Sequence, residues 1–197
     1  MAAFHKDPQN IIALGVTLIS VCALVVSITQ TRVMLKQNEL MNTQARASVR
    51  PIVLVEQYRS FNPETRDITG YSIHVVNSGV GPATIEEVFV RLGDQDVASW
   101  GELGAAVGLP DSLPSYVTSA QLNQTVLQVG EDRPVLSLTK NLSFAEFVNR
   151  NTHELKITIL YRSLYGDRYR LVYEDRRNTY EPFDPRKHAT VGVSFRD

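Results

Sequence analysis

The stretch ELKITILYRSLYGDRYRLVYED, residues 154–175, carries the clearest β-hairpin pattern in the chain. Apolar and polar side chains alternate in both halves, which is the period of a strand with one buried face. Between the halves lies Tyr165-Gly166-Asp167, where glycine can supply the positive φ that tight hairpin turns require. The stretch therefore predicts two antiparallel strands joined by a short turn.

Three further runs, N-terminal to this hairpin, have the composition of strands. They are rich in Val, Ile and aromatic residues, and turn-rich pieces containing Asn, Pro and Gly separate them. In the third run the apolar side chains do not alternate strictly with Glu86 and Glu87, which predicts either a β-bulge or a strand that starts at Val88. The three runs are PIVLVEQY, GYSIHVVN and TIEEVFVRL, which begin at residues 51, 70 and 84.

The chain between the third run and the final hairpin is less regular. Residues 98–119 contain several Gly and Pro and little periodicity, so they predict an irregular excursion with a short helical turn near residues 102–107. Residues 124–138 predict another hairpin around Gly130. SFAE, residues 143–146, is a capping box that predicts a short helix.

Residues 51–197 therefore contain about seven predicted strands and few helices. This pattern predicts a mainly β domain, a β-sandwich. The N-terminal quarter of the chain has no such alternation and must be interpreted separately.

Residues 11–28, IIALGVTLISVCALVVSI, form an uncharged stretch that a membrane could hold. Ile, Leu and Val dominate it, and each contributes roughly 0.3 to 0.6 kcal/mol towards insertion at the centre of a helix. The hydroxyl groups of Thr17, Ser20 and Ser27 can bond to carbonyl groups one turn back, so they oppose insertion little. This stretch rises about 27 Å as a helix, which is short for a bilayer, but the length is sufficient if Thr29 and Gln30 continue the helix into the headgroups. We therefore predict a transmembrane helix over residues 11–30.

Three alternatives to an uncut anchor remain open at this point. A cleaved signal peptide has a basic leader and a small-x-small site, whereas the only basic side chain before this stretch is Lys6. A lipoprotein would use Cys22, but the preceding Val21 is β-branched. A buried helix of a soluble protein is the third alternative, and the absence of charge over the whole stretch argues against it.

The predicted helix is flanked by two polar segments. Residues 1–10 are a short polar leader, in which Pro8 is well placed to open a helix. Residues 31–50 contain neither Gly nor Pro and many good helix formers, so they predict a helical stalk that Pro51 stops. A weak heptad repeat leaves a coiled coil as the alternative to a single solvated helix.

The flanks also predict an orientation. On the N-terminal side the basic side chain is Lys6, whereas Arg32, Lys36 and Arg46 follow the helix. Because basic residues concentrate on the cytoplasmic side, the large C-terminal domain is predicted to be cytoplasmic rather than periplasmic. The expected location is the inner (plasma) membrane, which the chain crosses once.

Several motifs together resemble a large group of uncharacterised bacterial membrane-anchored proteins. These motifs are the N-terminal helix, ASVRP at residues 47–51, NSGVGPA at residues 77–83 and YRSLYGD at residues 161–167. The resemblance implies an immunoglobulin-like β-sandwich that faces the cytoplasm, and it implies no activity. From the residues alone, NSGVGPA is interpreted as a turn between strands, since no Lys or Ser/Thr follows in P-loop spacing.

Two sets of residues are candidate contact surfaces. Small residues on the predicted transmembrane helix could form a face that docks on other helices. Arginines interleaved with tyrosines in the C-terminal third could contact an acidic protein surface or acidic lipid, although a charged outer face balanced by neighbouring acids is the simpler interpretation. The helix set is Ala13, Thr17, Ser20, Ala23 and Ser27, and the arginine set is Arg162, Arg168, Arg170, Arg176 and Arg177.

Composition and spacing argue against several function classes. The formal charge of −1 becomes −3 when residues 1–48 are removed, so no nucleic-acid partner is expected. No catalytic signature, metal spacing or cofactor motif is recognisable, and the single cysteine, Cys22, lies in the apolar stretch. GDQD, residues 93–96, lacks the later ligands of a calcium loop. The expectation is no enzyme, no cofactor and no metal site.

The sequence thus favours a non-enzymatic, membrane-anchored interaction module, an accessory or scaffold subunit of a bacterial membrane complex. Its expected partners are membrane lipid and other membrane protein subunits, and a homo-oligomer is compatible with the helix. The alternative is a membrane-linked sensor or effector whose cytoplasmic sandwich binds a ligand or signal and acts through the anchor.

Overall fold

The computed structural model describes residues 8–106, 117–138, 149–150, 154–184 and 192–196. The chain divides into two compact units, Met1–Ala47 and Ser48–Asp197, and each is described by itself.

The described residues of the first unit all lie on one long helix, α1, which covers Pro8–Ser48. Its 41 residues rise about 60 Å, twice the thickness of a hydrocarbon core. None of them is buried, and by length and composition the helix is able to cross a membrane. The predicted transmembrane segment and nearly all of the predicted stalk thus lie on one continuous helix that begins at Pro8, in the leader, and ends three residues before Pro51.

In the described residues of the second unit, ten strands and one short helix have complete bounds. The strands are β1 Val53–Phe61, β2 Ile68–Asn77, β3 Ala83–Leu92, β4 Gln95–Val97, β5 Val117–Ser119, β6 Val126–Leu127, β7 Asp132–Leu138, β8 Leu155–Arg162, β9 Arg168–Glu174 and β10 Arg177–Pro182, and the helix is α2 Trp100–Ala106.

The strands form two antiparallel sheets. The first has the order β1-β2-β7-β5. The second has the order β10-β9-β8-β3-β4, and β6 pairs with β3 beside this path. The prediction of a mainly β unit is therefore confirmed, with more strands than the pattern indicated.

One hydrophobic core contains residues from both sheets. The inward side chains follow the period of two, as in β8, where Leu155, Ile157, Ile159 and Tyr161 are buried on one face. Burial of these apolar side chains is the main stabilising contribution to such a unit. The other fully buried members include Ile73 and Leu136 from the first sheet and Ile85 and Leu171 from the second.

Two local predictions are confirmed. The final hairpin pairs β8 with β9 around a turn in which Gly166 has a φ of 80°. The register of β3 against β8 shifts between Ile85 and Glu87, so the predicted bulge falls on Glu86. The extra residue re-aims its side chain, which matters for the charged face described below.

The predicted hairpin over residues 124–138 is wrong. A turn is present at Gly130, whose φ is 73°, but β6 pairs with β3 in the second sheet whereas β7 pairs with β2 and β5 in the first. The turn carries the chain from one sheet to the other, and Leu127, Leu136 and Leu138 on its two sides all belong to the shared core. Periodicity identifies strands and turns but not which strand is the partner.

The irregular excursion contains part of the core. Trp100 and Leu103 of α2 are buried, and the Trp100 ring meets Phe195 edge to face at 5.0 Å. Residues 107–116 of the excursion lie outside the described part of the chain, as does the predicted capping-box helix except for Asn149 and Arg150, which are helical.

Candidate functional site

Three of the five candidate arginines lie together on the outer face of the second sheet. Arg162 and Arg168 are opposite each other on β8 and β9, and both approach the carboxylate of Glu86, at 3.8 and 3.2 Å. Arg170 approaches Glu181 of β10 at 3.8 Å. The bulge in β3 places Glu86 between Arg162 and Arg168. The negative charges of Glu86 and Glu181 therefore partly balance the positive charge of the arginines on this face.

The other two arginines lie at the β9–β10 turn. Arg177 begins β10, and Arg176 is the second residue of the two-residue turn that joins the hairpin. Arg176 lines a cleft together with residues of β1, whereas Arg162 and Arg168 pair on the outer face of their sheet. The structure therefore does not bring the five arginines into one patch.

The candidate docking face of α1 is fully exposed within the chain. Two of its hydroxyl groups donate to backbone carbonyls one turn back, Thr17 to Ala13 at 2.9 Å and Ser20 to Val16 at 2.8 Å. These bonds satisfy the hydroxyl hydrogens of Thr17 and Ser20, so a neighbouring helix could approach these small residues closely. Whether this face docks on another helix stays a prediction.

The NSGVGPA motif lies against the first residues of the second unit. Gly79 and Gly81 leave no room for a Cβ, which would overlap the backbone of Arg50 and Ile52 at one position and of Val49 at the other. The amide of Val80 donates to the Arg50 carbonyl at 3.1 Å. The predicted turn is confirmed, but these glycines are required for close backbone approach and not for positive φ.

Asn77 organises the same region as a fully buried polar residue. Its amide nitrogen donates to the carbonyls of Gly81, Leu127 and Gln128 at 2.9 to 3.2 Å. Its side-chain oxygen accepts the amide of Gly79 at 3.1 Å. Residues 49–52, which include the end of the ASVRP motif, therefore pack directly against NSGVGPA within the second unit.

One arrangement has the distances of a catalytic triad. On the first sheet, His74 Nδ1 lies 2.6 Å from Asp132 and Nε2 lies 3.0 Å from the Ser72 hydroxyl. A serine hydrolase also requires donors for the oxyanion, and backbone amides of a central strand are committed to the sheet on both sides. Ser72 pairs with Tyr58 on β1 and with Ser137 on β7, so it lies in a central strand and this row is a cross-strand polar network.

Metal ligation finds no support in the described ranges, where no group of three or more His, Cys, Asp or Glu side chains converges. Asp96 of the GDQD segment pairs with Arg91 at 2.8 Å. Three of the four histidines, His5, His153 and His188, lie outside the described residues.

A polar cleft, which the sequence patterns did not identify, opens beside β1 and the β9–β10 hairpin. Its volume is about 470 Å³, and its lining residues are Val55, Glu56, Gln57, Arg59, Tyr173 and Arg176. We call this the β1–β9 cleft. A signal for it was present in the sequence, because Gln57 and Arg59 occupy the positions of β1 that continue the inward alternation of Val53 and Val55.

Hydrogen-bond donors in and beside this cleft lack acceptors. Among the described residues, Gln57 Nε2, Arg59 Nε and the Tyr71 hydroxyl are buried without a hydrogen-bond partner. Tyr71 lies opposite Arg59 in the β1–β2 register and is 2 % exposed. Burial raises the pKa of Tyr71, while the nearby charges of Arg59 and Arg176 act in the opposite direction.

Taken together, the fold and these surfaces define a mainly β protein with two antiparallel sheets, preceded by a long apolar helix. Residues 11–181 match the family described as a domain of unknown function, DUF8453, and the chain belongs to that family. Neither the curated proteins nor the solved structures include a significant match.

Proposed function

We propose that this chain is a non-enzymatic, membrane-anchored interaction module that serves as an accessory or scaffold subunit of a bacterial membrane complex. The observation that carries the proposal is α1, whose large apolar residues are all exposed within the chain. An apolar surface of this extent is stable in lipid or against other helices, and unfavourable in water. The helix therefore supplies both the anchor and a docking surface.

The strand order supports an immunoglobulin-like β-sandwich for the second unit. The order β1-β2-β7-β5 corresponds to the ABED sheet of that fold, and β9-β8-β3 corresponds to its GFC sheet. The shared hydrophobic core is what two packed sheets require. The disulfide and buried strand-C Trp of antibody domains have no counterpart here, since Cys22 is the sole cysteine and Trp100 lies on α2.

The same charge argument that orients the helix assigns this unit to the cytoplasmic side of the inner membrane. Arg32, Lys36 and Arg46 follow the apolar stretch, and Arg46 lies in the last turn of α1. In this arrangement the face that holds Arg162, Arg168 and Glu86 is offered to cytoplasmic partners or to acidic lipid headgroups. No nucleic-acid partner is proposed.

Copurification tests the subunit role. Membranes that contain the chain would be solubilised in mild detergent and crosslinked, and the chain would then be isolated together with the proteins bound to it. Ser20→Leu changes the small-residue face of α1, whereas Val25→Leu changes a position about 140° away around the helix. A partner that copurifies with the wild type and with Val25→Leu, but is lost with Ser20→Leu, supports the proposal. A homo-oligomer as the sole species contradicts the subunit role.

Thiol labelling tests the orientation. Leu164 is 70 % exposed in the β8–β9 turn, next to the buried Ser163. A single cysteine placed there by Leu164→Cys, in a Cys22→Ser background, should resist an impermeant maleimide in intact cells and react after permeabilisation. Labelling in intact cells would place the second unit outside the cytoplasm.

The second candidate function is a membrane-linked sensor or effector. The observation that favours it is the β1–β9 cleft, whose buried donors are unmatched in the described part of the chain. A ligand-dependent change in crosslinked oligomers of the full chain would support the sensor, and a pattern indifferent to ligand would count against it.

A further inference from the structure

The donors at the β1–β9 cleft have a single chemical character. The amide nitrogen of Gln57, the guanidinium of Arg59 and the hydroxyl of Tyr71 are all able to donate, and buried donors are costly when no acceptor meets them. The Gln57 side-chain oxygen, which could accept, is already bonded to Arg59 at 3.3 Å. A ligand that satisfies this site must therefore bring acceptors.

Charged side chains of both signs lie at the site. Arg59 and Arg176 both line the cleft, and the charge of each opposes the rise that burial causes in the pKa of Tyr71 and Tyr173. One carboxylate also lines it, that of Glu56, which accepts the Tyr58 hydroxyl at 2.5 Å. Asp175 is a second nearby acid, since its negative charge contributes to the raised pKa of Tyr173.

Arginine is an unusual residue for the turn position that Arg176 occupies. Asp175 and Arg176 have φ values of 48° and 62° between the paired residues Glu174 and Arg177, which is the geometry of a two-residue turn with both φ values positive. Asp-Gly and Asn-Gly are the preferred pairs in such a turn, because a Cβ strains the second position. Arginine at this position sacrifices stability and places a cationic side chain at the cleft.

We propose that the β1–β9 cleft binds a small organic oxyanion, whose carboxylate or phosphate group is held by Arg59, Gln57 and Arg176. Guanidinium groups bind both kinds of oxyanion through paired hydrogen bonds. The cleft is also lined by Val55 and Tyr173, so the organic body of the ligand would lie against these two side chains. This inference does not depend on the membrane complex proposed above.

Thermal unfolding of the full chain in neutral detergent micelles tests the site. Succinate and inorganic phosphate, each at about 20 mM and with ionic strength matched by sodium chloride, are expected to raise the unfolding temperature of the wild type. Stabilisation by succinate alone assigns a carboxylate ligand, and stabilisation by phosphate alone assigns a phosphate ester. No stabilisation by either probe overturns the proposal.

Two turn variants separate binding from folding. Arg176→Gly relieves the strained φ and should unfold at no lower temperature than the wild type, yet weaken anion binding at least about tenfold. Asp175→Gly relieves the same turn and keeps Arg176, so it should bind the anion at least as well as the wild type. Equal anion stabilisation of Arg176→Gly and the wild type would show that the ion acts elsewhere and would overturn the proposal.

A variant within the strand supplies an independent check. Arg59→Met keeps most of the side-chain volume and removes the guanidinium. Loss of the anion effect in a variant that still unfolds cooperatively supports the site, and an undiminished effect contradicts it. If Arg59→Met fails to fold, the two turn variants decide the question.

Discussion

The side chain of Asn178 covers part of the outer edge of β1 by bonding to both backbone groups of Val55. Its oxygen accepts the Val55 amide and its nitrogen donates to the Val55 carbonyl, each at 3.0 Å. Asn178 belongs to β10 of the second sheet, so one amide side chain joins the edges of the two sheets. An exposed edge strand invites pairing with other chains, and this bridge occupies part of that edge.

Asn178→Ala should therefore lower the free energy of unfolding by about 2 kcal/mol, because it leaves two backbone groups of Val55 without partners. Urea unfolding of the chain in detergent, followed by circular dichroism, measures the change. Thr179→Ala, at the exposed neighbouring position, is the matched control and should change stability by less than about 0.5 kcal/mol. Equal effects of the two substitutions would show that the bridge contributes nothing.

Gly81→Ala should destabilise the second unit by about 3 kcal/mol or more. The added methyl group would overlap the backbone of Val49, which cannot move aside as a flexible side chain would. Gly70→Ala is the control, since its Cβ would meet its nearest neighbour, the Leu138 carbonyl oxygen, at an ordinary 3.6 Å. Differential unfolding of the two variants tests the explanation, and similar losses would refute close approach as the reason for glycine at position 81.

Asn77→Asp should destabilise the fold in a pH-dependent way. The substitution places an ionisable carboxyl against the carbonyls of Gly81, Leu127 and Gln128, which favour a protonated donor. The folded-state pKa of this carboxyl should thus lie above its unfolded value of about 3.9, so the loss of stability is smallest below that pH and grows as pH rises. Unfolding between acidic and neutral pH, with the wild type as reference, measures this slope.

Alkaline pH should unfold the chain through its buried tyrosines. Burial raises the pKa of Tyr161 to about 12, although the backbone of Val53 opposes the shift. Because the folded pKa exceeds the unfolded value of about 10, the contribution is complete below pH 10 and is lost as pH rises towards 12. Tyr161→Phe should therefore lose less stability across this window than the wild type. Identical alkaline profiles would contradict the assignment.

Local sequence patterns predicted much of the second unit. The alternation in residues 154–175 and the positive φ at Gly166 correspond to the observed β8–β9 hairpin, and the broken alternation at Glu86 corresponds to a bulge. These features are encoded by neighbouring residues, so a single sequence is sufficient to predict them. The pairing of β6 with β3 was not predictable in this way, because it depends on residues more than forty positions apart.

The candidate contact residues show the same division. Alternation alone places Arg168 and Arg170 on one face of a strand, but the acids that meet this face, Glu86 and Glu181, come from other strands. Gln57 and Arg59 follow the inward alternation of β1, yet only the fold shows that they border a cleft with Arg176.

What the sequence determined by itself is an uncharged helix long enough for a membrane, followed by strands with one buried face. Both follow from hydrophobic period and length, which act over a few residues. Tertiary structure decided the sheet order, the packing of Gly81 on Val49, and the meeting of Arg59, Tyr173 and Arg176 at one cleft. These depend on contacts between distant segments, whose geometry is set by the shared core and not by any local pattern.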